Sequence, residues 1–127
     1  MIRILLGDCH RAVRRGLREL LEDREEWRVC GEAVNGTEAI EKAAELRPNV
    51  AVLDLLMPAM DGMNAIRRIR KVSPDTEILI LTMHASEQLL RDAVAAGVRG
   101  FVLKLSEARN LMRAVESAVD HKSCLFV

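Results

Sequence analysis

The stretch Val50-Ala-Val-Leu-Asp-Leu-Leu-Met-Pro-Ala-Met-Asp-Gly62 decides the fold. It follows Pro48-Asn49 and opens as an apolar run, Val50 to Leu53, that ends on a carboxylate, Asp54. A short apolar run bounded by turn residues reads as a fully buried strand. Pro58 and the pair Asp61-Gly62 bend the chain soon afterwards. An acid at the carboxyl end of a central strand stands where open α/β sheets place their ligands. The competing reading is an Asp that only ends a strand or caps the next helix.

Working outward, strands and helices alternate. Before this stretch, Ile2–Gly7 is an apolar strand followed by Asp8-Cys9-His10. From Arg11 the period changes: Val13, Leu17, Leu20 and Leu21 recur at helical spacing, with Arg14, Arg15, Arg18, Glu19 and Glu22 on the other face. Those charges read as a solvated helix face. Trp27–Val34 is a second strand, with Trp27 expected to be a partly exposed packing residue at its start. Asn35-Gly36 is a turn, and Thr37 is the expected cap of a helix over Glu38–Leu46.

After the central strand, Gly62 opens a helix through Met63, Ile66 and Ile69, with Arg67, Arg68, Arg70 and Lys71 outside. Glu77–Thr82 is a fourth strand. Ser86 caps a fourth helix carrying Leu89, Leu90, Ala93 and Val94, and Gly97 ends it. Arg99–Lys104 is a fifth strand. Ser106 caps the last helix, where Leu111, Met112, Val115 and Val119 face inward. Five strand–helix units with apolar strands imply a doubly wound parallel α/β sheet covered on both faces. The expected domain runs over residues 1–120, and 121–127 reads as a tail or the start of a linker.

Composition narrows the function classes. Lys+Arg and Asp+Glu number 19 each, so this segment has no bulk positive charge with which to hold nucleic acid. Aromatics are 2%, which makes the core aliphatic. No stretch reads as a membrane span or signal peptide, so a cytoplasmic location is expected. Cys9, Cys30 and Cys124 are scattered, with no C-x-x-C pair, and read as free thiols.

In a parallel sheet all strand carboxyl ends point to one edge. Four end on polar residues: Asp8, Asp54, Thr82 and Lys104. Two neighbouring carboxylates repel unless a cation lies between them. Oxygen donors suit Mg²⁺, and an ammonium with a hydroxyl opposite would hold phosphoryl oxygens. Asp54 would be the nucleophile, forming an acyl phosphate.

With these residues in place, the chain resembles the receiver domain of two-component response regulators over essentially its whole length. The resemblance rests on Leu53-Asp-Leu-Leu-Met-Pro-Ala-Met-Asp-Gly62, Leu81-Thr-Met-His84 and Gly100-Phe-Val-Leu-Lys104. The opening Arg3-Ile-Leu-Leu-Gly-Asp-Cys-His10, with Val13-Arg-Arg-Gly16, is similar to the NarL/FixJ subfamily, whose receivers precede a LuxR-type helix-turn-helix output domain. The resemblance implies a flavodoxin-like (βα)5 fold with a five-stranded sheet of order 2-1-3-4-5. It implies phosphotransfer from a histidine kinase to Asp54, with Lys104 paired to the phosphoryl group. Thr82 and Phe101 would be the switch pair, and Mg²⁺ would be held by Asp8, Asp54 and the backbone carbonyl of Leu56. It implies a signalling phosphoacceptor rather than an enzyme in the ordinary sense, one with a part in its own phosphotransfer and dephosphorylation. Partners would be the kinase and an output domain or a second receiver, with DNA reached only through residues outside this chain and no membrane contact.

One position departs from the family pattern. Receivers of this kind carry two adjacent acids after the first strand, and here they are Asp8 and Cys9. A thiol is soft and a poor Mg²⁺ ligand. That departure motivates a second reading, a pseudo-receiver that acts through protein contacts without phosphorylation. A third, a flavodoxin-like enzyme or small-ligand carrier, lacks a Gly-rich loop after the first strand. Plainer roles compete at single residues. His10 and His84 read as solvent-edge residues, Asp61 as a turn residue, Phe101 as core packing, and the scattered methionines as gap-fillers. Leu105 stands where many receivers carry Pro, and a redox role for Cys9 is opposed by the carboxylates around it.

Overall fold

A computed structural model of the chain describes residues 1–60, 63–83, 86–104 and 108–126, the last three of these by backbone only. The expectations for Asp61, Gly62, His84, Leu105 and Ser106 lie outside the described residues.

The elements follow in strict alternation: β1 (Ile2–Gly7), α1 (Arg11–Glu22), β2 (Trp27–Ala33), α2 (Gly36–Leu46), β3 (Val50–Asp54), α3 (Asn64–Val72), β4 (Glu77–Thr82), α4 (Glu87–Ala95), β5 (Gly100–Leu103), α5 (Ala108–Val119) and β6 (Cys124–Phe126). The strands pair in parallel in the order β2-β1-β3-β4-β5-β6. The expected order 2-1-3-4-5 is present, and a sixth strand extends it. Residues 124–126, read from sequence as tail or linker, pair with Gly100, Phe101 and Val102. Three residues carry too little periodicity to announce a strand; the open edge of β5 supplies the hydrogen-bond partners.

Strand pleating sorts the core into two layers. Leu5, Ala51, Leu53, Ile78, Ile80 and Phe101 pack on one face with Ala39, Ile66, Ile69 and Ala93 of α2, α3 and α4. Ile4, Leu6, Val50, Val52, Leu79, Leu81 and Val102 pack on the other with Leu21, Leu111, Val115 and Ala118 of α1 and α5. By the same two-residue period, Asp8, Asp54 and Lys104 fall on the α1/α5 face, and Thr82 falls on the face of Ile80 and Phe101.

Helix starts follow local chemistry. Asn35, not Thr37, caps α2: its Oδ1 accepts from Glu38 N at 2.8 Å, while Glu38 Oε1 accepts from Val34 N at 3.1 Å. This is a reciprocal cap shifted two residues from the sequence expectation. Ser86 caps α4 as expected, accepting from Leu89 N at 3.0 Å. Gly97 follows that helix with φ +91°, a conformation that L side chains rarely adopt. Gly36 serves a close approach: a Cβ there would lie 2.0 Å from the Ala59 carbonyl oxygen, so α2 rests directly on the loop that leaves Asp54. Trp27 is buried rather than partly exposed, with the Arg24 guanidinium 4.8 Å above its ring.

Candidate functional site

Three strand ends converge. Asp8 follows β1, Asp54 ends β3, and Lys104 follows β5 and reaches across the end of β4 to both acids. Its Nζ lies 2.8 Å from Asp8 Oδ2 and 2.7 Å from Asp54 Oδ2. Both carboxylates are buried, so the ammonium is what makes two adjacent charges tolerable in a dry place.

Each carboxylate is also oriented by backbone. Asp54 Oδ1 accepts from Leu56 N at 2.9 Å, the first bond of the turn after β3. Asp8 Oδ1 accepts from His10 N at 2.8 Å, and the His10 ring Nδ1 lies 3.2 Å from the same oxygen. Asp8 Oδ2 has no hydrogen-bond donor of good geometry, and the Lys104 ammonium is its counter-charge. Burial pushes the Asp8 carboxyl up, but Lys104 and the His10 donors outweigh it and hold it below the usual carboxylate range. For Lys104, burial pulls down, and the two acids together leave the ammonium above its ordinary value.

Thr82 is buried at the end of β4, where its carbonyl accepts from Lys104 N at 2.7 Å. Phe101 is 1% exposed and packed in the α3/α4 layer, opposite Ile80 on the neighbouring strand. Leu56, whose carbonyl the resemblance assigns to the metal, has a 68% exposed side chain. Cys9 is exposed, with Sγ 3.6 Å from His10 Nδ1.

Sequence reasoning missed three features. His10 is solvent-exposed as expected, yet it holds Asp8 through backbone and ring. Arg14, taken for a solvated face, donates to the Asp8 carbonyl at 2.8 Å and pairs with Glu32. Burdened by two guanidinium groups, first Arg18 and then Arg14, Glu32 stays below the usual carboxylate range. Third, an apolar groove of about 720 Å³ leads from Asp54 and Lys104 between α1 and α5, past Val13, Leu17 and Leu111. The one sequence signal for it is Gly16, a helix-interior glycine with nothing near its missing side chain.

The geometry joins a buried carboxylate with one oriented edge, a cation that can follow negative charge, and an open approach. Among the described residues no helix is long and apolar enough to cross a membrane.

Comparison with known proteins gives the same outline. The response regulator receiver domain family matches residues 4–116. The transcriptional regulatory protein YdfI of Bacillus subtilis is 35% identical over 94% of this chain and 55% of its own length. The DNA-binding transcriptional activator DevR/DosR of Mycobacterium tuberculosis is 38% identical over 98% of this chain and 58% of its own. The chain thus spans about half the length of the curated relatives it matches. Among solved structures, a LuxR-family two-component response regulator from Aurantimonas sp. SI85-9A1 superposes with TM-score 0.90 at 36% identity, covering 96% of this chain and 87% of that one.

Proposed function

The chain belongs to the response regulator receiver family, and from that premise we propose that Asp54 accepts a phosphoryl group from a phosphohistidine of a sensor kinase. One observation carries the assignment: the Asp54 carboxylate ends the central strand with Lys104 Nζ 2.7 Å from Oδ2 and the Leu56 N–H on Oδ1.

In the proposed step a carboxylate oxygen of Asp54 attacks phosphorus. A P–O bond forms, the donor's P–N bond breaks, and the imidazole leaves with the electron pair. Lys104 moves with the charge from the carboxylate to the phosphoryl oxygens, and Asp8 keeps its other side paired. Thr82, at the end of the neighbouring strand, would donate its hydroxyl to a phosphoryl oxygen. Drawing Thr82 towards the site alters the packing beneath it on the face it shares with Phe101. Attack of water on the acyl phosphate would end the signal, with Lys104 and Thr82 again holding the charge. Partners on this reading are a cytoplasmic histidine kinase and a helix-turn-helix output domain, or a second receiver.

Receivers of this family generally bind Mg²⁺ at this edge. Mg²⁺ demands near-octahedral oxygen donors. Here Asp8, Asp54 and the Leu56 carbonyl would remain as donors, but a thiol stands where a further acid belongs. The donor set does not fit Mg²⁺ well, and no step above depends on it. Cys9 also favours the second reading, a receiver controlled by partner contacts alone.

The experiment is phosphorylation of the folded chain with acetyl phosphate and with a phosphorylated kinase, the adduct being mapped by mass spectrometry. A stoichiometric acyl phosphate on Asp54, absent from Asp54→Asn, is the expected result. An adduct kept by that variant removes the assignment. A folded parent that takes no label from either donor leaves the pseudo-receiver reading.

A further inference from the structure

Asp8 and Cys9 occupy the two positions where the family pattern has acids, His10 follows them, and among the described residues these three are the one set of His, Cys and acidic side chains whose ligand atoms converge within 4.8 Å. We propose that these three residues form a site for a borderline-soft divalent cation of the zinc class, set at the mouth of the groove beside Asp54.

The donor set is one oxygen, one sulfur and one nitrogen. Zinc accepts all three, whereas hard cations such as Mg²⁺ disfavour sulfur. The spacing agrees. Bonds of zinc to oxygen, nitrogen and sulfur at tetrahedral angles put oxygen and nitrogen about 3.4 Å apart, and nitrogen and sulfur about 3.6 Å apart. Asp8 Oδ1 lies 3.2 Å from His10 Nδ1, and that nitrogen lies 3.6 Å from Cys9 Sγ. Cys9 is exposed, so its side chain turns without disturbing the core.

A second observation separates this site from a chance cluster. Asp8 is completely buried, and its two oxygens serve different neighbours. Oδ2 meets Lys104 at 2.8 Å, and Oδ1 is fixed towards His10 by the backbone N–H at 2.8 Å. A cation on Oδ1 therefore leaves the Lys104 contact on Oδ2 in place. Carboxylate, thiolate and neutral imidazole balance two of the metal's charges, and three protein ligands leave a fourth position open. Cys9 and His10 line the same groove as Asp54, so a cation held by them would lie in the groove that reaches the phosphoacceptor. Binding would displace the thiol proton to solvent.

The test does not depend on phosphorylation. The full chain, kept reduced with a phosphine, is titrated with Co²⁺ as a spectroscopic probe and with Zn²⁺ against a chromophoric chelator. Parent protein should bind one equivalent and give a thiolate-to-cobalt charge-transfer band. Cys9→Ser should lose the band, and Cys9→Ser and His10→Ala should each weaken Zn²⁺ at least as much as losing an outer-shell partner does, about 10–100-fold. Cys9→Asp should shift preference from Zn²⁺ towards Mg²⁺. Circular dichroism melts confirm that each variant is folded. No cobalt–thiolate band in the parent, a band kept by Cys9→Ser, or equal Zn²⁺ affinity across the variants would overturn the proposal; the last means adventitious surface binding.

Discussion

Lys104 holds two buried acids at once, and that arrangement has a cost if it is broken. Lys104→Met removes the ammonium but leaves Asp8 and Asp54 buried beside each other. Removing one partner of a buried ion pair costs about 3–5 kcal/mol, so urea unfolding at neutral pH should show a loss of that order. A loss below about 1 kcal/mol, the size expected of a surface pair, would mean that water screens the cluster. At this scale the sequence was informative where a residue ended an apolar strand: Asp8, Asp54, Thr82 and Lys104 all stand at the edge where strand counting puts them. It was silent where a long or backbone-bound group reaches the site from a helix. Nothing in the helical period of Arg14 tells that its guanidinium turns back to the Asp8 carbonyl rather than to water. Trp27 misled for a related reason, since the Arg24 that covers it lies in a loop with no pattern.

Elements are held at the far edge of the sheet by a second charged cluster. Glu77, opening β4, is reached by Arg99 Nε at 2.5 Å and lies 3.1 Å from the His121 ring. It therefore ties the starts of β4 and β5 to the turn before β6. Burial pushes the Glu77 carboxyl up, but Arg99 and His121 outweigh it and hold it below the usual range. A group whose folded pKa is depressed adds stability above its unfolded pKa and loses it as pH falls through the folded one. Parent protein should thus be more stable than Glu77→Gln by about 1–2 kcal/mol at neutral pH. The two should converge as pH falls through and below the ordinary glutamate range, about 4.3. Denaturant melts across that range check it; a constant gap would show that the ionised carboxylate contributes nothing. Strand and helix order were legible because apolar runs and helical stripes alternate cleanly. The cap of α2 was not, because Asn35 and Thr37 are both good caps and only the seat of Gly36 on Ala59 decides between them.

The whole molecule places its two candidate switch residues in one layer. Phe101 is packed inward beside Ile80, under α4, and Thr82 shares that face. A phosphoryl group that draws on Thr82 would therefore be felt in α4 and β5 and, through β5, in α5 packed on its other face and in the β6 strand paired to it. Amide exchange with and without beryllofluoride is expected to change protection in those four elements, with couplings of about 1–3 kcal/mol. Changes limited to α1 and α2 would place the output elsewhere. The order of the strands led from sequence to the expectation of α4, β5 and α5; it could not include β6, whose place depends on an edge that exists only once the sheet has formed.

The parallel pairing of β6 has a consequence for how the molecule handles error. Without it, β5 would border the sheet, and the backbone groups of Gly100, Phe101 and Val102 on that side would be left to water or to any extended peptide that came by. At three residue pairs this is the shortest pairing in the described sheet, and its loss would leave a berth of fixed direction beside the strand that leads to Lys104. Whichever strand lies there, from this chain or another, shares backbone hydrogen bonds with the strand that runs into Lys104.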